Sequence, residues 1–463
     1  MKKMILIIFA ICTCLIFFYA FSASYNSNNI DHLDYVIAIG VDTSDDEKNL
    51  QVSFEFTDLG AFSESSSSDS SEPTINTVIA ASIPDAINLM NAYAGKQINL
   101  SHCRVIAFSE DIAKIGILEE VTYFMNNTQI RPTTNVIIAS KTAKDYIESS
   151  TSSLEDVLTK YYEVFPTSAE YTGYTSNIML NKFYHSLTND ACGAVAILGV
   201  KSESNEENSS DSGNSSSSSN SNTNSSSTNS SSSSNTQNST KDILENITNS
   251  ISSLEQESSG NSSTSSLTDN ALDSISQGES IVDGDRGTEN IGLAVFNQDK
   301  YIGTLSAIDT LCYTLIEEEV DSFSVLIPNP FDETKKIDVS VSSLKPAYTK
   351  IDISNDTPII TLKLNLTAKA LTGQTNLNYS DKNTLNAVNE SLKTYLTAKL
   401  KDYLYKTSRE YKCDLNCFFR VIKHKFLTVT DYENYNWKEK YQNAEFNIEI
   451  DSNVISSFLV QDA

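Results

Sequence analysis

The sequence predicts a mixed α/β (α+β) protein: an N-terminal membrane anchor or signal helix, then at least two compact α+β domains joined by a disordered Ser/Asn-rich linker. Three observations predict this class. An uncharged apolar run opens the chain, strand and helix patterns alternate on both sides of the middle, and Ser, Asn and Thr dominate the middle itself. The predicted divisions are the helix at 1–24, an α/β domain at 30–200, the linker at 201–288 and an α+β region at 289–463.

Composition limits the classes of function. The chain has 463 residues, which is enough for about two or three domains. It carries 60 Asp and Glu against 33 Lys and Arg, a net charge of −27. Nucleic-acid binding needs a cationic face, so this charge argues against nucleic acid as a partner. It also argues against a peripheral protein held to a membrane mainly by charge.

The N-terminal run Met4–Phe21 is the predicted membrane anchor. It is uncharged and mostly apolar, and Lys2 and Lys3 precede it. As a helix it would be roughly 27 Å long, close to the thickness of the hydrocarbon core. Because the run is long for a signal sequence but Ala20-Phe21-Ser22 is a passable cleavage site, a cleavable signal and an uncleaved anchor both remain open. In either case the rest of the chain is exported.

In the N-terminal half, strand and helix patterns follow one another. Leu50–Phe56 alternates apolar and polar residues, which predicts a strand with Ser53 and Glu55 on its solvent-facing side. Short apolar runs predict further strands at Tyr35–Val41, Arg104–Phe108, Asn135–Ala139 and Ala194–Val200. Capping residues and apolar spacing predict helices after Ser82, after Ser109 (through Val121), around Lys141–Glu148 and at Ser153–Val164. The Ser-rich stretch Ser63–Ser71 predicts a surface loop.

The middle of the chain is the predicted linker. Ser202–Thr240 is almost entirely Ser, Asn and Thr and has no apolar side chain, so nothing offsets the entropy of ordering it. The stretch up to Thr288 stays rich in Ser, Asn and Asp. Within it, four apolar residues have the spacing of a short amphipathic helix, namely Ile243, Ile247, Ile251 and Leu254.

The C-terminal half opens with a predicted hairpin, Ile291–Phe296 and Tyr301–Leu305, and a helix over Ile308–Leu315. Ile360–Ala368 alternates cleanly, which predicts a long strand with one wet face. Other strand patterns lie at Ser322–Ile327, Ile337–Leu344, Tyr348–Ile353 and Ala444–Ile450. A helix capped at Ser380 or Asp381 carries an apolar stripe made of Leu385, Val388, Leu392, Leu396, Leu400 and Leu404.

The sequence predicts that the protein is not an enzyme. No catalytic, cofactor-binding or metal site is expected, and no cofactor. It has no Gly-rich phosphate loop, nucleophile elbow or His-x-x-x-His pair. His102 beside Cys103 has no third partner. Glu317-Glu318-Glu319 is interpreted as a solvated helix end, because consecutive side chains project in different directions. Lys423-His424-Lys425 is interpreted as ordinary surface, although such a patch is able to contact phosphate or lipid. An exported hydrolase with two carboxylates distant in sequence remains a minor alternative.

The seven cysteines predict no disulfide framework. Cys103, Cys192 and Cys312 stand alone in apolar contexts, which is typical of small buried thiols. Cys413 and Cys417 are four residues apart and have the spacing to share a helix face. No second pair completes the set of ligands that a zinc site needs.

Four segments of the chain carry a family resemblance. They are Ile30–Asp42 with its Ile-Gly-Val-Asp ending, Leu100–Gly116, Gln129–Ser140, and the hairpin segment Asn290–Gly303. In this order they resemble the Ger(x)C family, the C subunit of the GerA-type nutrient germinant receptors of endospore-forming bacteria. Asp414 and Trp437 also fall where the family pattern would place them.

The resemblance implies a non-enzymatic envelope protein with several compact α+β domains. Such proteins work with two polytopic membrane subunits, of A and B type, in a complex that senses nutrients. We therefore expect a membrane-anchored subunit on the extracytoplasmic face of the spore inner membrane or the cell membrane. It would act in germination by scaffolding or signal coupling, and its own role in ligand binding is left open. The alternative is an extracytoplasmic solute-binding or envelope-assembly protein.

The chain departs from the family pattern at the lipidation site. Family members are usually acylated on a Cys just after the signal segment, but no Cys follows Phe21 here. Cys12 and Cys14 lie inside the apolar run, and Phe9-Ala10-Ile11 is a poor lipobox. No lipidation is therefore expected, and the run Met4–Phe21 substitutes as the attachment. The Ser/Asn insert is the second departure, and we interpret it as a tolerated surface insertion rather than a hinge.

Overall fold

Two β-sheets with helices packed on them make up the described part of the chain. The computed structural model describes residues 2–22, 32–46, 48–57, 74–150, 158–201, 287–332, 334–371, 379 and 381–456. These residues belong to one unit of the chain, formed by Met1–Ser204 together with Asn270–Ala463. The predicted mixed α/β class is confirmed. Residues 202–286 of the predicted linker 201–288, and the predicted loop Ser63–Ser71, lie outside the described residues.

The elements before the linker alternate between strand and helix. In chain order they are α1 (Lys2–Ser22), β1 (Leu33–Thr43), β2 (Leu50–Phe56), β3 (Thr74–Ala80), α2 (Ile83–Ala94), β4 (Gln97–Asn99), β5 (Val105–Ser109), α3 (Glu110–Ile115), α4 (Leu118–Asn126), β6 (Asn135–Ala139), α5 (Ala143–Ser149), α6 (Leu158–Val164), α7 (Ala169–Thr172), α8 (Leu180–Leu187) and β7 (Ala194–Lys201).

The elements after it build the rest of the first sheet and the whole second sheet. They are β8 (Thr288–Glu289), β9 (Leu293–Asn297), β10 (Lys300–Leu305), α9 (Ala307–Ile316), β11 (Ser322–Pro328), β12 (Lys336–Asp352), β13 (Ile359–Ala370), α10 (Lys382–Tyr405), α11 (Phe419–Lys423), α12 (Val429–Tyr435), α13 (Trp437–Tyr441) and β14 (Glu445–Ser456).

The first sheet has ten strands in the order β10-β9-β7-β6-β5-β1-β2-β3, with β4 beside β1 and β8 beside β7. Its centre, from β7 to β1, is parallel, and both flanks are antiparallel. The central strands β5 and β6 are buried at every position, which explains their continuous apolar sequences. Because β9 and β10 follow the linker, this sheet takes strands from both sides of it. The predicted domain boundaries stay a prediction.

The second sheet has the order β11-β12-β13-β14. Its strands are antiparallel except for β13 and β14, which run parallel over twelve residue pairs. The long helix α10 begins after Asp381, whose carboxylate accepts a hydrogen bond from Asn383 N. The predicted apolar stripe of α10 is confirmed, since Val388, Leu392, Leu396, Leu400 and Leu404 are buried and Leu385 is partly buried against the core.

The predicted anchor Met4–Phe21 falls within the helix α1. Many of its apolar side chains are exposed, from Ile11 at 54% to Phe18 at 78%. Within the described ranges, no helix combines the length and apolarity needed to cross a membrane. The anchor therefore stays a prediction.

Two element predictions need correction. The helix predicted from Ser109 through Val121 is two helices, α3 and α4. Gly116 has a φ of 132° between them, and Ile117 N donates to Asp299 O in the β9–β10 turn. The strands predicted at Ile337–Leu344 and Tyr348–Ile353 are one strand, β12, with irregular pairing to β13 around Lys345.

Candidate functional site

A disulfide joins two segments that are far apart in sequence. Cys192, just before β7, is bonded to Cys417, just before α11, with a Cα–Cα distance of 5.1 Å and a sequence separation of 225. The prediction that Cys192 is an isolated buried thiol is therefore wrong. Cys103, Cys312 and Cys413 are buried and take no part in a disulfide. The predicted export of the chain was the signal that could have pointed to a disulfide, since disulfides persist in oxidising compartments.

Around this bond, the backbone of the two segments is in close contact. Gly193 N donates to Asp414 O at 3.0 Å. A Cβ on Gly193 would lie 2.6 Å from Leu415 Cδ2 and 2.9 Å from Cys413 Cβ, so only glycine fits without a shift. We call residues 190–193 and 412–420, with the side chains that they contact, the disulfide junction.

Asp414 lies at the centre of the disulfide junction. Its Oδ2 accepts hydrogen bonds from Phe419 N at 2.9 Å and from Trp437 Nε1 at 2.8 Å. The carboxyl therefore caps the start of α11 and fixes the only tryptophan of the chain. Burial raises its pKa to about 7. Asp414 and Trp437, which the family resemblance singled out, thus form one buried pair with a structural role.

A group of charged side chains borders the junction. Lys182 on α8 forms ion pairs with Glu319 and, at 3.8 Å, with Glu317. Ser176 donates to Glu319, and Asn416 Nδ2 donates to Glu317 Oε1 at 3.2 Å. Burial raises the pKa of Glu317, while the charge of Lys182 opposes this shift. The interpretation of Glu317-Glu318-Glu319 as a solvated helix end is wrong for Glu317 and Glu319, because the turn after α9 directs both towards Lys182.

The Ile-Gly-Val-Asp ending of β1 docks a helix on the first sheet. Asp42 accepts hydrogen bonds from Ala143 N at 2.6 Å and Lys144 N at 3.0 Å, so it caps the start of α5. A Cβ on Gly40 would lie 2.9 Å from Ile147 Cδ1, so the glycine lets α5 rest directly on the strand. Burial is the main cause that raises the pKa of Asp42. The motif therefore has a structural role, which is to pack α5 against the first sheet.

Glu55 is a buried acid that the sequence did not reveal. Ser53 and Glu55 were predicted to face solvent from β2, but both are fully buried. Glu55 Oε2 accepts a hydrogen bond from Tyr162 on α6 at 3.0 Å, and Oε1 has no partner in the described part of the chain. Burial raises the pKa of Glu55 to about 8. The Glu55 carboxyl is therefore buried beneath α6, where only protein groups surround it.

The other residues singled out by the sequence do not converge on these groups. His102 is exposed and packs edge-on against Tyr35, with ring centroids 4.8 Å apart. The Cys103 thiol is buried, which raises its pKa to about 12. Across the described ranges, no three His, Cys, Asp or Glu side chains are grouped so as to hold a metal ion. Chemically, the arrangement fixes secondary-structure elements to one another.

The family follows from two sequence profiles that match the chain in order. Residues 26–201 match the spore germination protein N-terminal domain, and residues 291–457 match the spore germination B3/GerAC like, C-terminal domain. Together they cover well over half of the chain. The chain belongs to the Ger(x)C family of spore germination proteins.

The Ger(x)C assignment confirms the resemblance carried by the four sequence segments. It gives the chain the role of a germinant receptor C subunit in spore germination. A crystal structure of the GerBC protein is similar, with a TM-score of 0.46 and 13% identity, over 90% of this chain and 96% of that chain. Among curated proteins, none matches the chain.

Proposed function

We propose that this Ger(x)C protein is the membrane-associated, extracytoplasmic subunit of a nutrient germinant receptor, and that it acts by scaffolding or signal coupling rather than by catalysis. The observation that carries the proposal is the pair of family matches, which lie in order on both sides of the Ser/Asn insert. We also propose that the insert separates the domains, with 30–200 and 289–463 as the folded parts.

The first support is the helix α1, through which the chain attaches to the membrane. Apolar side chains such as Phe9, Phe17 and Phe18 are 69–78% exposed on it. Large exposed apolar surfaces are typical of membrane or protein contacts. Cys12 and Cys14 are exposed within the same helix, but they lack a lipobox. Attachment by α1 itself replaces acylation in this proposal.

The second support is the disulfide between Cys192 and Cys417. Cytoplasmic thiols are normally kept reduced, whereas disulfides persist in exported proteins. The bond therefore favours the extracytoplasmic face for the part of the chain that follows α1.

The third support is how the buried charged groups are used. Asp42 and Asp414 cap helices, and Lys182 is paired with Glu317 and Glu319. Groups that are committed to helix caps and ion pairs hold the fold in one arrangement. A fold held in this way suits a scaffold that transmits contacts between polytopic partners, the A- and B-type subunits.

The test is purification of the tagged full-length chain from spore membranes. We expect two polytopic membrane proteins to co-purify, and we expect spores without the gene to ignore at least one nutrient. A variant in which Ser replaces Phe9, Phe17 and Phe18 should be lost from the membrane fraction, while its disulfide still forms. Normal germination of the deletion strain toward every tested nutrient would contradict the proposal.

The fate of α1 needs its own measurement. If α1 is an uncleaved attachment, mass spectrometry of the membrane-extracted protein should find an N-terminus at Met1 or Lys2. A mature N-terminus near Ala23 would instead identify a cleaved signal, and the attachment would then have to come from elsewhere.

A further inference from the structure

The segment between Arg420 and Val429 has a charge unlike that of the whole chain. From Leu415 to Thr430 the sequence has no acidic residue, although the chain carries 60 of them. The same stretch holds Arg420, Lys423, His424 and Lys425, all of which are exposed. In a protein with a net charge of −27, this stretch is locally cationic.

Exposed apolar side chains lie next to these cations. Leu427 is 99% exposed and Val429 is 67% exposed, so neither contributes to the core. Apolar side chains beside Lys and Arg are the combination found in segments that lie at a lipid interface. We call Lys423–Val429 the basic loop.

Aromatic packing and a helix cap hold the basic loop in place. The ring of Phe426 packs on those of Tyr432 and Tyr435, at centroid distances of 5.8 Å and 5.3 Å. Thr428 caps α12 by accepting a hydrogen bond from Asp431 N at 3.1 Å. These contacts fix the residues on either side of Leu427, so its exposure belongs to the fold.

Asp431 and Asp352 interact with residues of the basic loop, and both also accept hydrogen bonds. Asp431 accepts a hydrogen bond of 2.7 Å from Thr428 Oγ1. Asp352 accepts hydrogen bonds from Ser354 and feels the charge of Lys425, whose ammonium donates to Ile351 O. The cationic character of the basic loop is therefore set mainly by Lys423 and Lys425.

We propose that the basic loop docks on an anionic lipid surface, with Leu427 and Val429 inserted among the acyl chains and Lys423 at the level of the phosphates. Charge complementarity identifies this occupant, because a surface with anionic headgroups over an apolar layer matches cations that flank exposed apolar side chains. The inference rests on the proposed attachment by α1, which brings the chain to the bilayer. The remaining surface, with its excess of acids, is repelled, so the loop determines which side of the protein faces the lipid.

The test places a fluorescent reporter in the loop of the full-length chain. The Leu427→Trp variant is reconstituted with vesicles of phosphatidylcholine alone or mixed with phosphatidylglycerol, each with brominated acyl chains as quenchers. Native Trp437 is 2% exposed and provides the background in the unchanged protein. Tyr93→Trp, at a residue that is 75% exposed on α2, is the matched control.

We expect Leu427→Trp to be blue-shifted and quenched in the phosphatidylglycerol vesicles, less so in phosphatidylcholine, and Tyr93→Trp to be quenched in neither. Adding Lys423→Gln should weaken insertion of the loop about fivefold, the effect of one cation near an anionic surface. Raising the salt concentration should act in the same direction.

Flotation of the same samples separates the two hypotheses. Protein that fails to float with vesicles contradicts attachment by α1. If the Leu427→Trp variant floats while the fluorescence of its reporter stays unquenched in both lipids, the docking of the loop is overturned and the attachment is left intact. A blue shift that appears only when co-purified polytopic subunits are added would assign the loop to a protein partner and would also overturn the proposal.

Discussion

Trp437 Nε1 donates a hydrogen bond of 2.8 Å to Asp414 Oδ2, and both side chains are at most 3% exposed. The other oxygen, Oδ1, has no hydrogen-bond partner in the described part of the chain. An ionised carboxylate is costly in such surroundings, so burial raises the pKa of Asp414 to about 7. The pair therefore links the stability of the disulfide junction to pH.

Replacement of Asp414 by Asn tests this link. An unfolded Asp has a pKa of about 3.9, below the value of about 7 in the fold, so the folded protein binds more protons between these two values. Its free energy of unfolding should fall as the pH rises from about 4 to about 7 and then level off. Asp414→Asn lacks this titration. The difference between wild type and variant in urea unfolding should follow that curve, and a difference that is constant with pH would refute the assignment.

Tyr162→Phe removes the one hydrogen bond that Glu55 makes through Oε2. Because the carboxyl is fully buried, we expect the free energy of unfolding to fall by about 1–3 kcal/mol. The control is Tyr171→Phe, at a residue that is 61% exposed, which should change stability by no more than about 0.5 kcal/mol. Equal effects of the two changes in denaturant unfolding would show that the Glu55 contact contributes nothing.

The double variant Cys192→Ser and Cys417→Ser should unfold more easily than wild type, by about 2–5 kcal/mol, since the bond restricts the unfolded chain. Denaturant unfolding with and without reductant measures this. Reductant should destabilise the wild type and leave the double variant unchanged. Indifference of the wild type to reductant would count against a stabilising bond.

Deletion of Ser202–Thr240 should leave the melting temperature within a few degrees of wild type. The segment has no apolar side chain, and loop length has only a weak effect on closure entropy. The ends of the described chain on either side are already neighbours, because Lys201 on β7 pairs with Thr288 on β8. Thermal unfolding of the deletion variant is the measurement. A loss of about ten degrees or more would mean that the segment packs on the fold, since such a loss corresponds to more than about 1 kcal/mol.

Local patterns in the sequence were enough to predict most strands and the long helix. Leu50–Phe56 and Asn135–Ala139 have the predicted bounds, and the hairpin and the cap at Asp381 are confirmed. Period and capping are local properties, so a single sequence contains them.

What the sequence did not reveal depends on distant partners. Alternation in β2 suggested a wet face, but α6 covers Glu55, and no local pattern reports a helix whose Tyr162 lies 107 residues away. The break after α3 depends on Asp299, which contacts Gly116 and Ile117 from the β9–β10 turn. The pairing of Cys192 with Cys417 spans 225 residues and leaves no spacing signal. The disulfide junction is therefore a product of tertiary structure.

The bond between Cys192 and Cys417 also closes a covalent ring that contains every residue from 193 to 416, including the whole Ser/Asn insert. A protease that cuts once within the insert would therefore not release either half of the molecule. It would produce a two-chain protein, whose parts separate only after reduction and whose first sheet still holds strands from both chains. Cleavage in the insert and loss of the C-terminal half are thus separate events in this protein.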